Sequence, residues 1–514
     1  MPEKAALEGV KLLEKYAVIG MPKVEVSIYE DTEGRRYYEV AEPPLNTEVR
    51  RKAYSELLSV ISRNLTLLEA LNASGSVEKA FNILRPYAYE VVKSIVRGQL
   101  KARGSLDEAV TAVTYHVARD LVGYGPIEPL MRDPYIEDIS CNGIGIPVFV
   151  YHTRYEWLTT NVVMQSAQEL NSLVAKLGVR SGKEPSIATP IVEGVLKREG
   201  YRVNIVLDVV SRHGSQFTIR KFRAEPFTIV ELLRLKTLDP LVAALLWIAV
   251  SSKQGVVFYG PTGSGKTTLL NAVTMLVPTE YKIVTVEDTP EVFLPFHENW
   301  GGMVSRPSTD PRVENVTLQS QVEAALRQRP DVIIVGEIRS REAYAFFQAL
   351  ATGHGGLTTV HAESADVLVK RLTSPPMNVP ASLVSTAKVF VNILRVERGG
   401  QVSRRVTRVH ESRGYDPSTD SIRLGEIVVW DPEKDVWRLT KERIDLLSTV
   451  AELRLITYDE AYEDVIRRAT VLEWLAEKNA DVTLLHTITR LYERDPENVY
   501  KTALKEVKRF EPPA

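Results

Sequence analysis

An α/β fold is predicted for the second half of the chain, preceded by an α+β domain and a mostly helical N-terminal module. Three observations predict it. Gly260-Pro261-Thr262-Gly263-Ser264-Gly265-Lys266-Thr267 fits the phosphate-loop pattern G-x-x-x-x-G-K-[ST] at every position. The apolar run Val256-Val257-Phe258-Tyr259 precedes it as a buried parallel strand, and Lys266 to Val273 follows as the opening of a helix. Further apolar runs at Ile283 to Val286, Val332 to Val335 and Thr358 to Val360 come at the intervals of an α/β sheet. They end in Glu287-Asp288, Gly336-Glu337 and His361. Ligands of parallel α/β sheets sit at the C-terminal ends of strands, so chemistry is expected at these polar ends.

The elements follow in order. Ala5 to Tyr16 reads as a short amphipathic helix, with Leu7, Val10, Leu12 and Leu13 apolar. Val24, Val26 and Ile28 alternate with Glu25, Ser27 and Tyr29 at strand period. Asp31-Thr32-Glu33-Gly34 makes a turn, and Tyr37 to Val40 returns as a hairpin. From Thr47 the period is helical, with Leu57, Leu58, Ile61, Leu65 and Leu68 on one stripe. Gly75 breaks the chain, and Val77 to Leu100 is helical again. Ser105 and Glu108 have the spacing of an N-cap and capping box for the next helix.

Residues 1–120 therefore read as a mostly helical module, to which partner binding is assigned. Strands at Val148 to Tyr151, Val203 to Val206 and Phe217 to Arg220, with a helix at Ala167 to Leu177, make residues 121–225 an α+β domain. Pro226 among charged neighbours marks 226–240 as a hinge or linker. Residues 241–514 hold the nucleotide domain. It opens with a helix carrying Leu241, Ala244, Leu245 and Trp247, and ends in β-rich segments from Val389 to Leu439 and a helical tail from about Ile456.

Composition narrows the class. The 514 residues exceed one ordinary domain, and 44% hydrophobic with 25% charged residues is globular. Basic residues number 64 against 66 acidic, a net charge of -2, which offers no electrostatic case for nucleic acid. A single cysteine, Cys141, excludes an intrachain disulfide and a four-cysteine zinc module and fits a reducing, cytosolic setting. The longest apolar run, Leu241 to Val250, is too short to span a bilayer, so membrane association is expected only through a partner.

The candidate site builds on the loop. Its backbone N–H groups and the helix N-terminus point at phosphates. Gly260, Pro261, Thr262, Gly263, Ser264, Gly265, Lys266, Thr267 and Thr268 are the expected nucleotide-binding residues, with Lys266 on the β- and γ-phosphates and the Thr267 hydroxyl on Mg²⁺. Glu337, at a strand end, is a second candidate for holding Mg²⁺ or for orienting the attacking water. Glu287 is a candidate general base or a group behind the metal, and Glu291 shares its neighbourhood. His354 and His361 flank a glycine cluster. With no cysteine or third histidine nearby, γ-phosphate sensing is preferred to zinc. Arg327, Arg339 and Arg341 bracket the Glu337 strand, and Arg202 and Arg220 lie in the preceding domain. Any of these arginines serves to help phosphoryl transfer or, more commonly, to form a surface ion pair.

Taken together these segments resemble one family, the type II and type IV secretion or "traffic" ATPases, in their archaeal branch of archaellum-motor, pilus-assembly and secretion ATPases. Four boxes carry the resemblance: the phosphate loop; an aspartate box at Val286-Glu287-Asp288-Thr289-Pro290-Glu291; a Walker B segment from Leu326 to Arg339; and a histidine box from Thr352 to Ala362. Tyr124-Gly125-Pro126-Ile127, Glu137 to Cys141 and Thr218 to Phe222 extend it upstream, and Ser374-Pro375-Pro376-Met377 downstream. The missing four-cysteine insert agrees with the archaeal branch. The resemblance implies a RecA-like nucleotide domain, a homo-hexameric ring, and ATP in a cleft between hinged domains, with Arg202 and Arg220 directed at the γ-phosphate. It implies ATP hydrolysis driving a polytopic membrane platform protein and pilin-like filament machinery, from a cytoplasmic position peripheral to the membrane. The alternative is a conjugation-type or nucleic-acid-translocating RecA-like ATPase, which the balanced charge disfavours.

Overall fold

Two nine-stranded sheets organise the chain. The computed structural model describes residues 10–96, 103–221, 226–294, 296–306, 312, 314–398 and 401–507. The chain divides into two units, Met1–Arg223 and Ala224–Ala514.

The first unit opens with the strands β1 (Lys11–Ile19), β2 (Val24–Glu30) and β3 (Arg36–Ala41) and the helices α1 (Glu48–Ser62), α2 (Leu65–Ser74), α3 (Val77–Val96), α4 (Arg103–Leu121) and α5 (Glu128–Arg132). Then come β4 (Ile136–Cys141), β5 (Pro147–His152), β6 (Glu156–Val163), α6 (Ala167–Ser181), β7 (Ile191–Val195), β8 (Arg202–Val206) and β9 (Gln216–Arg220). The sheet order is β1-β2-β3-β6-β5-β4-β9-β8-β7.

Four expectations are corrected here. Residues 11–19 form the edge strand β1, not a helix; the rest of that expected helix, up to residue 9, lies outside the described residues. A helix of this length is marginal by itself, whereas β1 pairs along β2 from Lys11↔Glu30 to Ile19↔Val24. The stripe carried through Leu65 and Leu68 also fails. Asn64 caps a new helix by accepting from Leu67 N, the helical phase restarts, and Leu65 and Leu68 face solvent. Ser105 is not an N-cap, because α4 already begins at Arg103, and Glu108 pairs instead with Arg50 at 3.5 Å. The segment around Leu100 is outside the described residues. Lastly, residues 1–120 are not a separate helical module. Their three strands are part of the same sheet as β4–β9, and α1, α3 and α4 share one apolar core with that sheet.

Asp133 ties this unit together. It is fully buried, and its carboxylate accepts from Tyr16 Oη on β1 at 2.6 Å, Tyr38 Oη on β3 at 2.5 Å and Tyr135 N at 2.8 Å. Burial and the Asp133 charge both raise the Tyr16 and Tyr38 pKa values, so each phenol remains a donor.

The second unit contains α7 (Ile229–Arg234), α8 (Pro240–Ser251), β10 (Gly255–Gly260), α9 (Lys266–Thr274), β11 (Ile283–Glu287), β12 (Trp300–Val304), α10 (Leu318–Leu326), β13 (Val332–Val335), α11 (Glu342–Ala351), β14 (Gly355–His361), α12 (Ala365–Thr373) and α13 (Ala381–Val384). It closes with β15 (Ala387–Arg398), β16 (Gln401–Asp416), β17 (Ser421–Asp431), β18 (Val436–Leu439), α14 (Asp445–Arg454), α15 (Tyr458–Glu477), α16 (Val482–Arg494) and α17 (Pro496–Glu506). Its sheet runs β12-β11-β13-β14-β10-β15-β16-β17-β18. Pairing is parallel from β12 to β15 and antiparallel from there to β18. Strands β10, β11 and β13 are buried along their whole length, as continuous apolar runs in a doubly covered parallel sheet must be. This is the α/β, RecA-like arrangement: the loop strand β10 is separated from β13 by one strand.

The span 226–240, expected as a linker, is largely folded. Thr228 and Glu231 form a capping box for α7, whose Ile229, Val230, Leu232 and Leu233 enter the core of this unit. The apolar spacing outweighed the Pro226 signal; residues 222–225 lie outside the described ones. Helix α15 packs on α8 through Arg468. This guanidinium lies 4.5 Å from the Trp247 ring centroid and 4.8 Å from that of Tyr492, and bonds Asp464 at 3.1 Å and Glu493 at 2.9 Å. Among the described residues no helix is long and apolar enough to cross a membrane.

Asp133→Ala leaves the buried Tyr38 phenol, the half-buried Tyr16 phenol and the Tyr135 amide without their acceptor. The expected cost is on the order of 3 kcal/mol. Hydrogen exchange is the check: the amides of β1–β3 should lose protection while those of β10–β14 keep theirs.

Candidate active site

Strand register brings the expected residues to one edge of the second sheet. Val286 on β11 pairs with Val335 on β13, Val335 with Thr358 on β14, and Gly260 on β10 with His361. Glu287, Glu337, His361 and the phosphate loop therefore emerge side by side at the C-terminal ends of parallel strands, where peptide dipoles and loops converge.

Gly265 adopts φ +95 as N-cap of α9, a conformation that bends the loop back onto the helix start and that L side chains rarely take. Ser264 Oγ is buried and has no hydrogen-bond partner among the described residues. Lys266 is 6% exposed. Its Nζ donates to Pro261 O at 2.9 Å and approaches His361 Nδ1 at 3.3 Å. Burial drives its pKa down to about 8, against the opposing pull of Glu337.

His361 is the centre of the cluster. Nδ1 accepts from the Lys266 ammonium and lies 3.3 Å from Thr262 Oγ1, while Nε2 lies 3.2 Å from Glu337 Oε1. With Nδ1 accepting, the neutral ring carries its proton on Nε2 and donates it to Glu337. Burial, then the Lys266 charge, lowers the His361 pKa and keeps the ring neutral. Arg371 on α12 donates to His361 O. Burial works to raise the Glu337 pKa, but the Arg339 hydrogen bond at 2.6 Å and the Arg339 and Lys266 charges hold it below the usual carboxylate value. Arg339 is the only one of the three bracketing arginines that this network includes. Pro261, Thr262, Glu337, Arg339, His361 and Arg371 line a broad open cavity of about 560 Å³.

Glu287 has a different environment. It is 4% exposed, and its Oε1 accepts from Glu291 N and Val292 N, both at 2.9 Å. Asn271 on α9 holds the same loop from the other side, donating to Glu291 O at 2.7 Å and accepting from Phe293 N at 3.2 Å. Glu287 Oε1 thus fixes the amides of residues 291 and 292, and the charge of Glu291 is felt at both Lys266 and Arg339. Asn271 and Arg371 were not singled out from the sequence. A buried amide on an apolar helix face was the available signal for Asn271; Arg371 had none.

Two expected residues are not brought in. His354 precedes β14, whose extended residues carry the chain about 20 Å to His361 at ~3.3 Å per residue. It bonds Thr352 Oγ1 at 3.0 Å and Ala349 O at 3.2 Å at the opposite edge of the sheet. Arg327 caps the end of α10 and is exposed at that same far edge, before β13 begins. Neither reaches the phosphate loop of its own unit. Arg202 and Arg220 belong to the first unit, where they are register partners on β8 and β9, and Arg220 Nε lies 3.3 Å from Asp138 Oδ1. Burial raises the Asp138 pKa in spite of Arg220.

Among the described residues no three His, Cys, Asp or Glu side chains are grouped to hold a metal unaided. Mg²⁺ asks for less, because it keeps waters and phosphate oxygens and takes one or two protein oxygens. The Thr267 hydroxyl, at the second position of α9, and the Glu337 carboxylate are hard donors of that kind, so the donor set fits Mg²⁺.

The family model for type II/IV secretion system proteins matches residues 197–424. An uncharacterised protein of Methanocaldococcus jannaschii is 33% identical over 468 residues, covering 88% of this chain and 84% of its own. The type IV secretion system protein VirB11 of Brucella suis is 30% identical over 274 residues, 48% of this chain and 74% of its own. The type IV secretion system protein PtlH of Bordetella pertussis is 34% identical over 238 residues, 40% of this chain and 70% of its own. Phosphate loop, aspartate box, Walker B segment and histidine box all fall inside the matched region, and the chain belongs to the type II/IV secretion ATPase family.

Proposed function

We propose that this chain is a motor ATPase that works as a homo-hexameric ring. It passes the energy of ATP hydrolysis to a polytopic membrane platform protein of a pilus-like, archaellum or secretion machine. The ring stands at the cytoplasmic face of the membrane and is held there by its partners. The observation that supports this best is the Lys266–His361–Glu337–Arg339 chain beside the phosphate loop.

In this reading the loop amides and Lys266 hold the β- and γ-phosphates. Thr267 and Glu337 would hold Mg²⁺, which would supply charge neutralisation on the transferred phosphoryl group. A water oxygen bonds to the γ-phosphorus as the bond to the β–γ bridging oxygen breaks, leaving ADP and phosphate. Glu337 is held ionised and is a weak base for that reason, so its part is to orient the water and the metal more than to remove a proton early. A γ-phosphate competes with His361 for the Lys266 ammonium, which makes His361 a reporter of phosphate arrival and departure. Arg202 and Arg220 add positive charge for the transition state; the family resemblance is what supports their part.

Three outcomes are expected. In a phosphate-release assay, Lys266→Ala removes ATP binding and turnover, whereas Glu337→Gln binds ATP and loses about a hundredfold or more in kcat. Turnover near wild-type in both variants removes the site from the reaction. Arg202→Gln and Arg220→Gln slow hydrolysis by roughly tenfold or more with unchanged thermal unfolding; two unaltered rates exclude them.

The pH dependence follows from Lys266. The free ammonium titrates near 8, so phosphate binding, which needs the charge, weakens as pH rises through that value. Below it no proton is exchanged at Lys266; above it binding takes one up. Calorimetric titration with ATP at pH 8.5 in buffers of different ionisation enthalpy should show proton uptake. Lys266→Arg should abolish it, because arginine does not deprotonate in this range.

A further inference from the structure

The phosphate loop has two flanks, and only one of them is occupied by the cluster described above. Strand β10 lies between β14 and β15. From the β14 side His361, Glu337 and Arg339 face the Pro261–Thr262 end of the loop. From the β15–β16 side a different cation reaches the other end. The Cδ of Arg404, on β16, lies 3.1 Å and its Nε 3.6 Å from where a Cβ on Gly265 would be, with Ile393 Cδ1 also at 3.6 Å. Register explains its placement: Arg404 pairs with Arg395 in an antiparallel hairpin whose first strand runs directly along β10.

The other arginines of β16 have carboxylates. Arg405 bonds Asp435 at 2.9 Å, Arg408 bonds Glu426 at 2.8 Å, and Arg413 bonds Glu442 at 2.7 Å. Arg404 is half-buried, and its guanidinium has no carboxylate or hydrogen-bond acceptor among the described residues. A partly desolvated guanidinium next to the start of a helix, where the backbone already favours negative charge, is matched by an anion and above all by phosphate oxygens.

We propose that Arg404 is a nucleotide-binding residue that contacts the phosphates common to the di- and triphosphate, from the flank of the loop opposite His361 and Glu337. The inference rests on the ATPase reading. It separates two cations by their ends of the loop: Arg339 beside the carboxylate and histidine, Arg404 beside the helix start. Removing Arg404 therefore weakens ADP and ATP alike.

The test is equilibrium titration of the full chain with Mg-ATP and with Mg-ADP, comparing wild type, Arg404→Gln and Arg404→Lys. Arg404→Gln keeps the stem that covers Gly265 and removes the charge. Both affinities are expected to fall about tenfold, Arg404→Lys to recover part of the loss, and thermal unfolding without nucleotide to match wild type. Unchanged affinities in Arg404→Gln overturn the contact, as does a loss confined to ATP, which places the guanidinium at the γ end. An Arg404→Gln chain that unfolds early while Arg404→Lys binds as wild type makes the residue a packing element and likewise overturns it. A wild-type chain that binds neither nucleotide overturns the ATPase reading itself, and this contact with it.

Discussion

Lys266 is an ammonium largely withdrawn from water, and its surroundings are arranged to keep it charged at neutral pH. Burial alone disfavours the charge. A carbonyl oxygen from its own loop, an accepting imidazole nitrogen and a nearby carboxylate restore part of what solvent would supply. The imidazole has to be neutral for this, since a second cation 3.3 Å away would push Lys266 further down. Burial and Lys266 together ensure that it is. The sheet is what makes the arrangement possible: His361 is available because β14 is registered with β10 so that it falls opposite Gly260. A slip of one residue would turn it to the other face of the sheet.

That register also explains which parts of the site were legible in the sequence. Loop, strand ends and carboxylates were, because each is local chemistry at the end of a short apolar run. The two histidines were not separable, because six intervening residues do not say which end of a strand meets the ligand. The strand was read as starting at Thr358, whereas it starts at Gly355. Gly355 and Gly356 look like a loop but serve as strand residues under α11. A Cβ on Gly356 would lie 2.6 Å from Leu350 Cδ2 and 2.9 Å from Phe346 Cε2, so only glycine admits the helix at that distance. With the strand begun earlier, His354 belongs to one edge and His361 to the other.

The same limit governs the first unit. The hairpin β2–β3 and the helix following Thr47 were legible because turn chemistry and helical periodicity are local. Strand β1 was not, because its reason for being a strand is the open edge of β2 and the buried Asp133 it reaches through Tyr16. Nothing between residues 11 and 19 announces a carboxylate more than a hundred positions away. The span 226–240 was misread in the reverse sense: a proline with charged neighbours suggested a free connection, while four apolar side chains one step further on were enough to fold α7 into the core.

Glu287 and Glu337 show how two carboxylates on neighbouring strand ends acquire separate duties. The partners of Glu337 are an arginine, a histidine and, through that histidine, a lysine. In the proposed reading a phosphate takes the Lys266 ammonium from His361, so the surroundings of Glu337 would change with the ligand. The identified partners of Glu287 Oε1 are two peptide N–H groups, whose charge never changes. These two bonds fix backbone geometry whatever the charge nearby. What they fix are the amides of residues 291 and 292, beside the Glu291 carbonyl and Phe293 amide that Asn271 grips from α9, the helix that begins at Lys266. Asn271 thus joins the helix of the phosphate loop to the loop carrying Glu291, and Glu287 joins that loop to the end of β11. One acid is therefore held by charged side chains at the phosphate loop, while the identified bonds of the other hold the backbone beside it.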